Sequence, residues 1–211
     1  LGIITDLTEA IEKDDLPTIT NLFAQLGKTP FFKHEKPTPY DEAVSLIWYL
    51  ENVFYKSFGS IYDYIQQNIF GDEPIDNDIL NIGFWPGGDR DGNPFVTPEI
   101  TLKVASRLKE TVIKNYYRDV RALKRKLSFE GVEERVDVLE KKLYASVLNH
   151  NANDAISFDT FVSELKAIKE IIIKEHQSLY VSEITSLINK VHLFGFHFAI
   201  LDIRQDSRVH N

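Results

Sequence analysis

Eight residues, Gly87-Gly88-Asp89-Arg90-Asp91-Gly92-Asn93-Pro94, pack three charges among three glycines. An arginine can grip a carboxylate or phosphate through two parallel hydrogen bonds and stays charged. Glycine permits positive φ or the close approach of a ligand to the backbone, and Asn-Pro ends any regular structure. Trp85-Pro86 before the stretch and Phe95-Val96 after it predict a loop pinned at both ends by apolar anchors. Rigid charged loops held by a core are where binding and catalysis concentrate. A tight surface turn with solvated charges is the plainer reading. A second pair, Asp202 and Arg204, falls at the end of an apolar run. Buried charges are costly unless paired or used, so this pair reads either as a salt bridge or as part of a site.

Other chemistries fit poorly. Asp89-x-Asp91 begins like a calcium loop, but glycine then falls at position four and Ile100 at position twelve, where that loop needs glycine at six and an acid at twelve. No Gly-Lys-Ser/Thr follows to make a phosphate loop, and no Gly-x-Ser-x-Gly elbow is present. The six histidines show no metal-ligand spacing. Glu133, Glu134 and Asp137 share a helical segment and read as a solvated acidic face.

The elements that must position these residues are mostly helical. Ile4, Leu7 and Ile11 have helical spacing. Asp15 caps a second helix with Pro17 in its first turn, ended by Gly27. Pro39 to Phe70 carries a wide apolar stripe (Val44, Ile47, Trp48, Val53, Phe54, Phe58, Ile61, Tyr62, Ile65), with Gly59 as a kink or division. Thr97-Pro98-Glu99 starts a helix that runs to Leu127, and its basic far half (Arg118, Arg121, Lys124, Arg125, Lys126) reads as a solvated face. Further helices are predicted at 132–148, 157–176 and 180–194, with a polar linker at 149–153. Phe196–Ile203 alone has strand character, almost wholly apolar as in a strand covered on both faces. Alternation would put Phe198, Ile200, Asp202 and Arg204 on one side.

The 211 residues suffice for one large domain or two small ones, and a 43% hydrophobic content allows a sizeable core. A net charge of −8 argues against a general nucleic-acid binder. The absence of cysteine fits a reducing cytoplasm. No apolar run approaches a membrane span. The chain lacks a starting Met and a basic leader, and both ends read as cuts through something longer.

Three blocks together resemble the phosphoenolpyruvate carboxylase family. Pro37-Thr-Pro-Tyr-Asp41-Glu42-Ala43 is similar to its Pro-Ser/Thr-Pro-x-Asp-Glu segment. Residues 87–97 match its Gly-Gly-Asp-Arg-Asp-Gly-Asn-Pro-x-Val-Thr signature at every fixed position. Phe194-Gly195, then Leu201-Asp-Ile-Arg204-Gln-Asp-Ser207 and His210, resemble its Leu-Asp-Ile-Arg-Gln-Glu-Ser-x-x-His block. Asp206 stands where the family usually has Glu, and Phe95 where plant-like members have a basic residue.

The resemblance implies an all-α fold: a helical-bundle segment (1–70, a loop at 71–96, helices over 97–195) of a helix-rich barrel, with one short terminal strand at 196–204 lacking its sheet neighbours. It implies a lyase joining phosphoenolpyruvate to bicarbonate, giving oxaloacetate and phosphate, with Mg²⁺ or Mn²⁺. It implies a homo-oligomeric parent and no nucleic-acid or membrane partner. Arg204 is then the substrate-binding residue, and Asp89, Arg90, Asp91, Asn93 and Asp202 form the active-site wall. The family's catalytic histidine is expected just upstream of Leu1 and its metal ligands downstream of Asn211, so the piece alone would be inactive. A non-catalytic helical interaction module derived from such an enzyme is the alternative.

Overall fold

The computed structural model describes residues 2–30, 36–71, 80–148 and 156–209. The chain divides into two compact units, Leu1–Pro37 and Thr38–Asn211. The first holds α1 (Gly2–Glu12) and α2 (Leu16–Lys28). The Asp15 carboxylate accepts from the Thr18 N–H to cap α2. The helix runs through Gly27 and ends one residue later.

In the second unit, Thr38 opens α3 (Pro39–Tyr49) with a reciprocal capping box to Asp41. A π-helical turn (Leu50–Phe54) leads into α4 (Tyr55–Ile65), and a second (Gln66–Phe70) follows it. These turns, rather than Gly59, interrupt the long helical stretch. Gly59 sits inside α4 because the Lys190 side chain lies across it, where an added Cβ would meet Cε at 2.8 Å. Of the nine residues of the apolar stripe, Ile47 and Tyr62 are buried, Val44, Phe58 and Ile65 are half-buried, and Trp48, Val53, Phe54 and Ile61 are exposed.

The central element is α5 (Pro98–Lys124), capped by Thr97. Val104, Leu108, Val112, Tyr116, Val120 and Leu123 recur three to four residues apart along one buried face. Around it pack α3, α6 (Glu133–Leu148) and α8 (Val181–Phe194), with α7 (Phe158–Glu175) against α6 and α8. The Tyr116 hydroxyl, sealed among Tyr55, Phe161 and Phe196, donates to the Gly195 carbonyl at 2.6 Å. Burial holds the Tyr116 phenol well above its ordinary pKa. Helix α5 ends at Lys124, short of the expected Leu127, and the basic stretch from Arg118 to Lys126 is more than a solvated face. Arg118 pairs with Glu51 at 2.7 Å, Lys124 with Asp137 and Glu140 at 2.9 Å, and Lys126 with Glu183 at 3.0 Å.

The expected terminal strand is corrected. Phe196–Ala199 form turns, not a strand, and Phe198 has φ +67°. The Phe198 N–H bonds to the Phe194 carbonyl, which turns the ring into the core against Tyr55 and Phe194. Aromatic burial therefore decides the backbone here and overrides β propensity. The strand that remains, β2 (Ile200–Leu201), is not an orphan: it pairs in parallel with β1 (Gly83–Phe84). Ile200 and Ile203 are more than half exposed, so the segment is not covered on both faces. The described residues are mostly helical, as expected, but their two-stranded sheet closes into no barrel. No described helix is long and apolar enough to cross a membrane.

Candidate active site

The site begins with a backbone pairing. The Ile200 N–H bonds to the Ile82 carbonyl and the Asp202 N–H to the Phe84 carbonyl, both at 2.8 Å. The pairing continues past the strands. The Arg204 N–H bonds to the Gly88 carbonyl at 3.0 Å and the Arg90 N–H to the Arg204 carbonyl at 2.9 Å, making a bridge between Asp89 and Arg204. The glycine-rich loop and the Asp202–Arg204 tail, remote in sequence, thus lie side by side.

Glycine is required at two points. A Cβ on Gly88 would meet the Asp202 carbonyl oxygen at 2.1 Å. Gly87 has φ +82°, and its Cβ would meet the Val104 methyl at 2.6 Å. The apolar anchors are Phe84, Pro86 and Val96, all buried; Trp85 and Phe95 are 55% and 70% exposed. Asn93 shapes the exit, its side-chain oxygen accepting from the Phe95 N–H and its carbonyl from the Val96 N–H.

The charged side chains divide into three groups. Arg204 donates through Nε (3.2 Å) and Nη2 (3.1 Å) to one oxygen of Asp202, and both residues are more than half exposed. The salt-bridge reading of this pair is therefore present in the structure, with the remaining guanidinium donors open to a ligand. Asp89 and Asp91 form a carboxyl pair: the hydrogen bond that the protonated Asp89 donates to the Asp91 carboxylate, then desolvation, holds the Asp89 carboxyl above its ordinary pKa, while Arg204 pulls it down. Arg90 turns the other way, toward α5, and donates through Nη2 to the Thr101 hydroxyl at 3.1 Å. Asp202, not Asp89 or Asp91, is the carboxylate that holds an arginine here.

Thr101 is the residue that sequence reasoning missed. It is buried, and its hydroxyl donates to the Gly87 carbonyl at 2.7 Å. The available signal was its position four residues after the Thr97 cap, which places it in the first turn of α5 beside the incoming loop. Among the described residues no group of three or more His, Asp or Glu could hold a metal ion, so the residues present do not fit the divalent cation that the resemblance implies.

Comparison with known proteins agrees with the motif reading. The family described as phosphoenolpyruvate carboxylase matches residues 5–156 and 137–211. A phosphoenolpyruvate carboxylase of Shewanella loihica is 30% identical over 240 residues, covering 97% of this chain and 27% of its own length. Those of Rhodothermus marinus and Nitrosomonas eutropha are 25% and 26% identical, covering 97% and 98% of this chain. The chain spans about a quarter of the length of these curated relatives.

Proposed function

The chain belongs to the phosphoenolpyruvate carboxylase family, and from that premise we propose that it is part of an enzyme that carboxylates phosphoenolpyruvate with bicarbonate to oxaloacetate and phosphate. The order of the three motif blocks supports a place in the amino-terminal half of the parent, after its catalytic-histidine segment. The observation that carries the reading is the backbone pairing of Gly88–Arg90 with Asp202–Arg204. It brings two of the three family-like blocks, far apart in the chain, into one charged surface.

In this reading Arg204 binds the phosphate of phosphoenolpyruvate. Phosphoryl transfer places charge on the equatorial oxygens, and a planar guanidinium can stabilise two of them at once. Asp202 fixes the plane of that guanidinium through its Nε edge. Asp89, Arg90, Asp91 and Asn93 form the wall beside it. The glycine contacts at 87 and 88 make that wall rigid, which helps exclude water from a reactive enolate and CO₂. The divalent cation, the proton-handling histidine and further phosphate-binding arginines belong to the rest of the parent, which we take to be a homo-oligomer.

Two assays test the proposal together. The full-length enzyme, given phosphoenolpyruvate, bicarbonate and Mg²⁺, forms oxaloacetate and phosphate in a coupled assay. The 211-residue chain alone forms none and binds phosphoenolpyruvate no tighter than roughly millimolar, about −4 kcal/mol. A full-length enzyme without oxaloacetate formation sinks the reaction assignment. Turnover or micromolar binding by the chain alone sinks the division of labour.

A further inference from the structure

The two arginines of the site differ in what holds them. Arg204, Arg208 and Arg118 each have a carboxylate partner. No carboxylate among the described residues is ion-paired with Arg90. Among the described residues its one side-chain hydrogen-bond partner is the neutral Thr101 hydroxyl at 3.1 Å, its Nε is buried without an acceptor, and Glu99 lies near enough for the guanidinium to help lower its carboxyl pKa. A buried guanidinium donor without a partner is costly, since it has lost water and gained nothing. Such a donor calls for an explanation, and a site that binds an anion is one.

Thr101 itself is unusually constrained. It is fixed on the first turn of α5 and buried. Its proton goes to the Gly87 carbonyl at 2.7 Å, so its lone pair is left to accept from Arg90. Gly87 is in turn locked by its positive φ and by Val104 of the same helix. Helix, loop turn and guanidinium are therefore joined through one hydroxyl.

We infer that Thr101 is a positioning residue: its hydroxyl sets the plane of the Arg90 guanidinium, whose Nε edge is sealed, so that the remaining donors of the fork meet an anionic oxygen of the substrate. This rests on the reading of the loop as part of the carboxylase site, and it adds Arg90 as a second anion-binding arginine beside Arg204. The neutral partner matters. A carboxylate at the position of Thr101 would neutralise the guanidinium, whereas a hydroxyl orients it and leaves its charge for the ligand.

The test is steady-state kinetics of the full-length enzyme with Thr101→Val, Thr101→Ser and Arg90→Ala, alongside thermal melting. Valine keeps the branched shape and removes the hydroxyl. Thr101→Val is expected to raise the KM for phosphoenolpyruvate about tenfold or more, the cost of one lost charge-assisted contact. Thr101→Ser, which keeps the hydroxyl, is expected to restore KM to within about threefold of wild type even if it melts earlier. Arg90→Ala is expected to raise KM at least as far as Thr101→Val. If Thr101→Val lowers kcat and the melting temperature together while KM stays constant, Thr101 is only a structural tie and the inference is overturned. If Arg90→Ala is impaired but Thr101→Val is not, the loop belongs to the site and the positioning role is wrong. If Arg90→Ala has wild-type kinetics, the reading of the loop as an active-site wall fails first and takes this inference with it.

Discussion

The loop and the tail share one backbone pairing yet are built on opposite principles. The loop is held by sterics: Gly87 and Gly88 touch Val104 and Asp202 so closely that any Cβ would collide, Phe84, Pro86 and Val96 anchor the ends, and Thr101 ties the middle to α5. The tail is held by its root. Phe198 is buried in the aromatic core, two residues then pair as strand, and beyond them Ile203 and Arg204 stand more than half exposed. One arginine is oriented by a neutral hydroxyl and keeps a buried donor unfilled; the other is exposed and oriented by a carboxylate. Precision comes from the loop, and an accessible phosphate-sized fork comes from the tail.

Removing the tail's root is the harshest way to break this arrangement. Phe198→Ala deletes a ring that meets Tyr55 and Phe194 in a site without solvent access. Its cost is expected to be about 4 kcal/mol in chemical denaturation, as for large core truncations. The loop breaks differently. Gly88→Ala must push the two segments apart, because the Asp202 carbonyl is backbone and cannot swing aside. About 3 kcal/mol is expected, at the upper end of overpacking costs. Gly83→Ala, in β1 just before the loop and with open space around it, is expected to cost under about 1 kcal/mol. Equal effects at 83 and 88 would show that the close approach is not what fixes the loop.

Smaller changes sharpen the comparison. Tyr116→Phe removes the hydroxyl bonded to Gly195, where the chain leaves α8 toward the tail. It is expected to cost about 1–2 kcal/mol, because the carbonyl is left buried. Asp91→Asn removes the partner whose hydrogen bond raises the Asp89 pKa. The Asp89 titration, followed by carboxyl NMR, is expected to move down toward the ordinary aspartate range. In the wild type the raised Asp89 favours the folded state at pH below the unfolded pKa. That contribution is lost as pH rises through the folded pKa. Asp15, Glu183 and Asp206, whose pKa values are lowered chiefly by hydrogen bonds from Thr18, Lys126 and Arg208, act in the opposite sense: their contribution is lost as pH falls.

What could be read from the sequence follows from whether the cause was local. The caps at Asp15, Thr38, Thr97 and Ser157 all show hydrogen bonds from backbone N–H groups of the following turn; Asp15 and Thr97 were legible from the Pro in the first turn after each, whereas Thr38 was not read as a cap although Pro39 marked the start. The helical face of α5 follows directly from apolar spacing. Phe196–Ala199 misled because an apolar aromatic run has the same composition whether it lies in a sheet or turns its rings into a core. The decisive partners, Tyr55 and Tyr116, are remote in sequence. Pairing of residues 83–84 with 200–201 is non-local in the same way, and two-residue strands carry no periodicity. The chemistry-bearing residues were legible as types, since no helix or strand favours Gly-Gly-Asp-Arg-Asp-Gly. The division of labour between Arg90 and Arg204 was not, because it depends on one buried hydroxyl and one carboxylate whose placement only the fold supplies.

Arg204→Lys in the full-length enzyme tests the central claim most directly, with kcat/KM for phosphoenolpyruvate and the melting temperature measured side by side. Lysine keeps the charge and loses the fork. The account predicts a loss in kcat/KM on the order of 2–4 kcal/mol, by analogy with removing one oxyanion donor, with KM raised, kcat lowered and the melting temperature within about 2 °C of wild type, as for an exposed ion pair. Unchanged kinetics would contradict it and leave Asp202–Arg204 as a surface salt bridge beside a rigid turn.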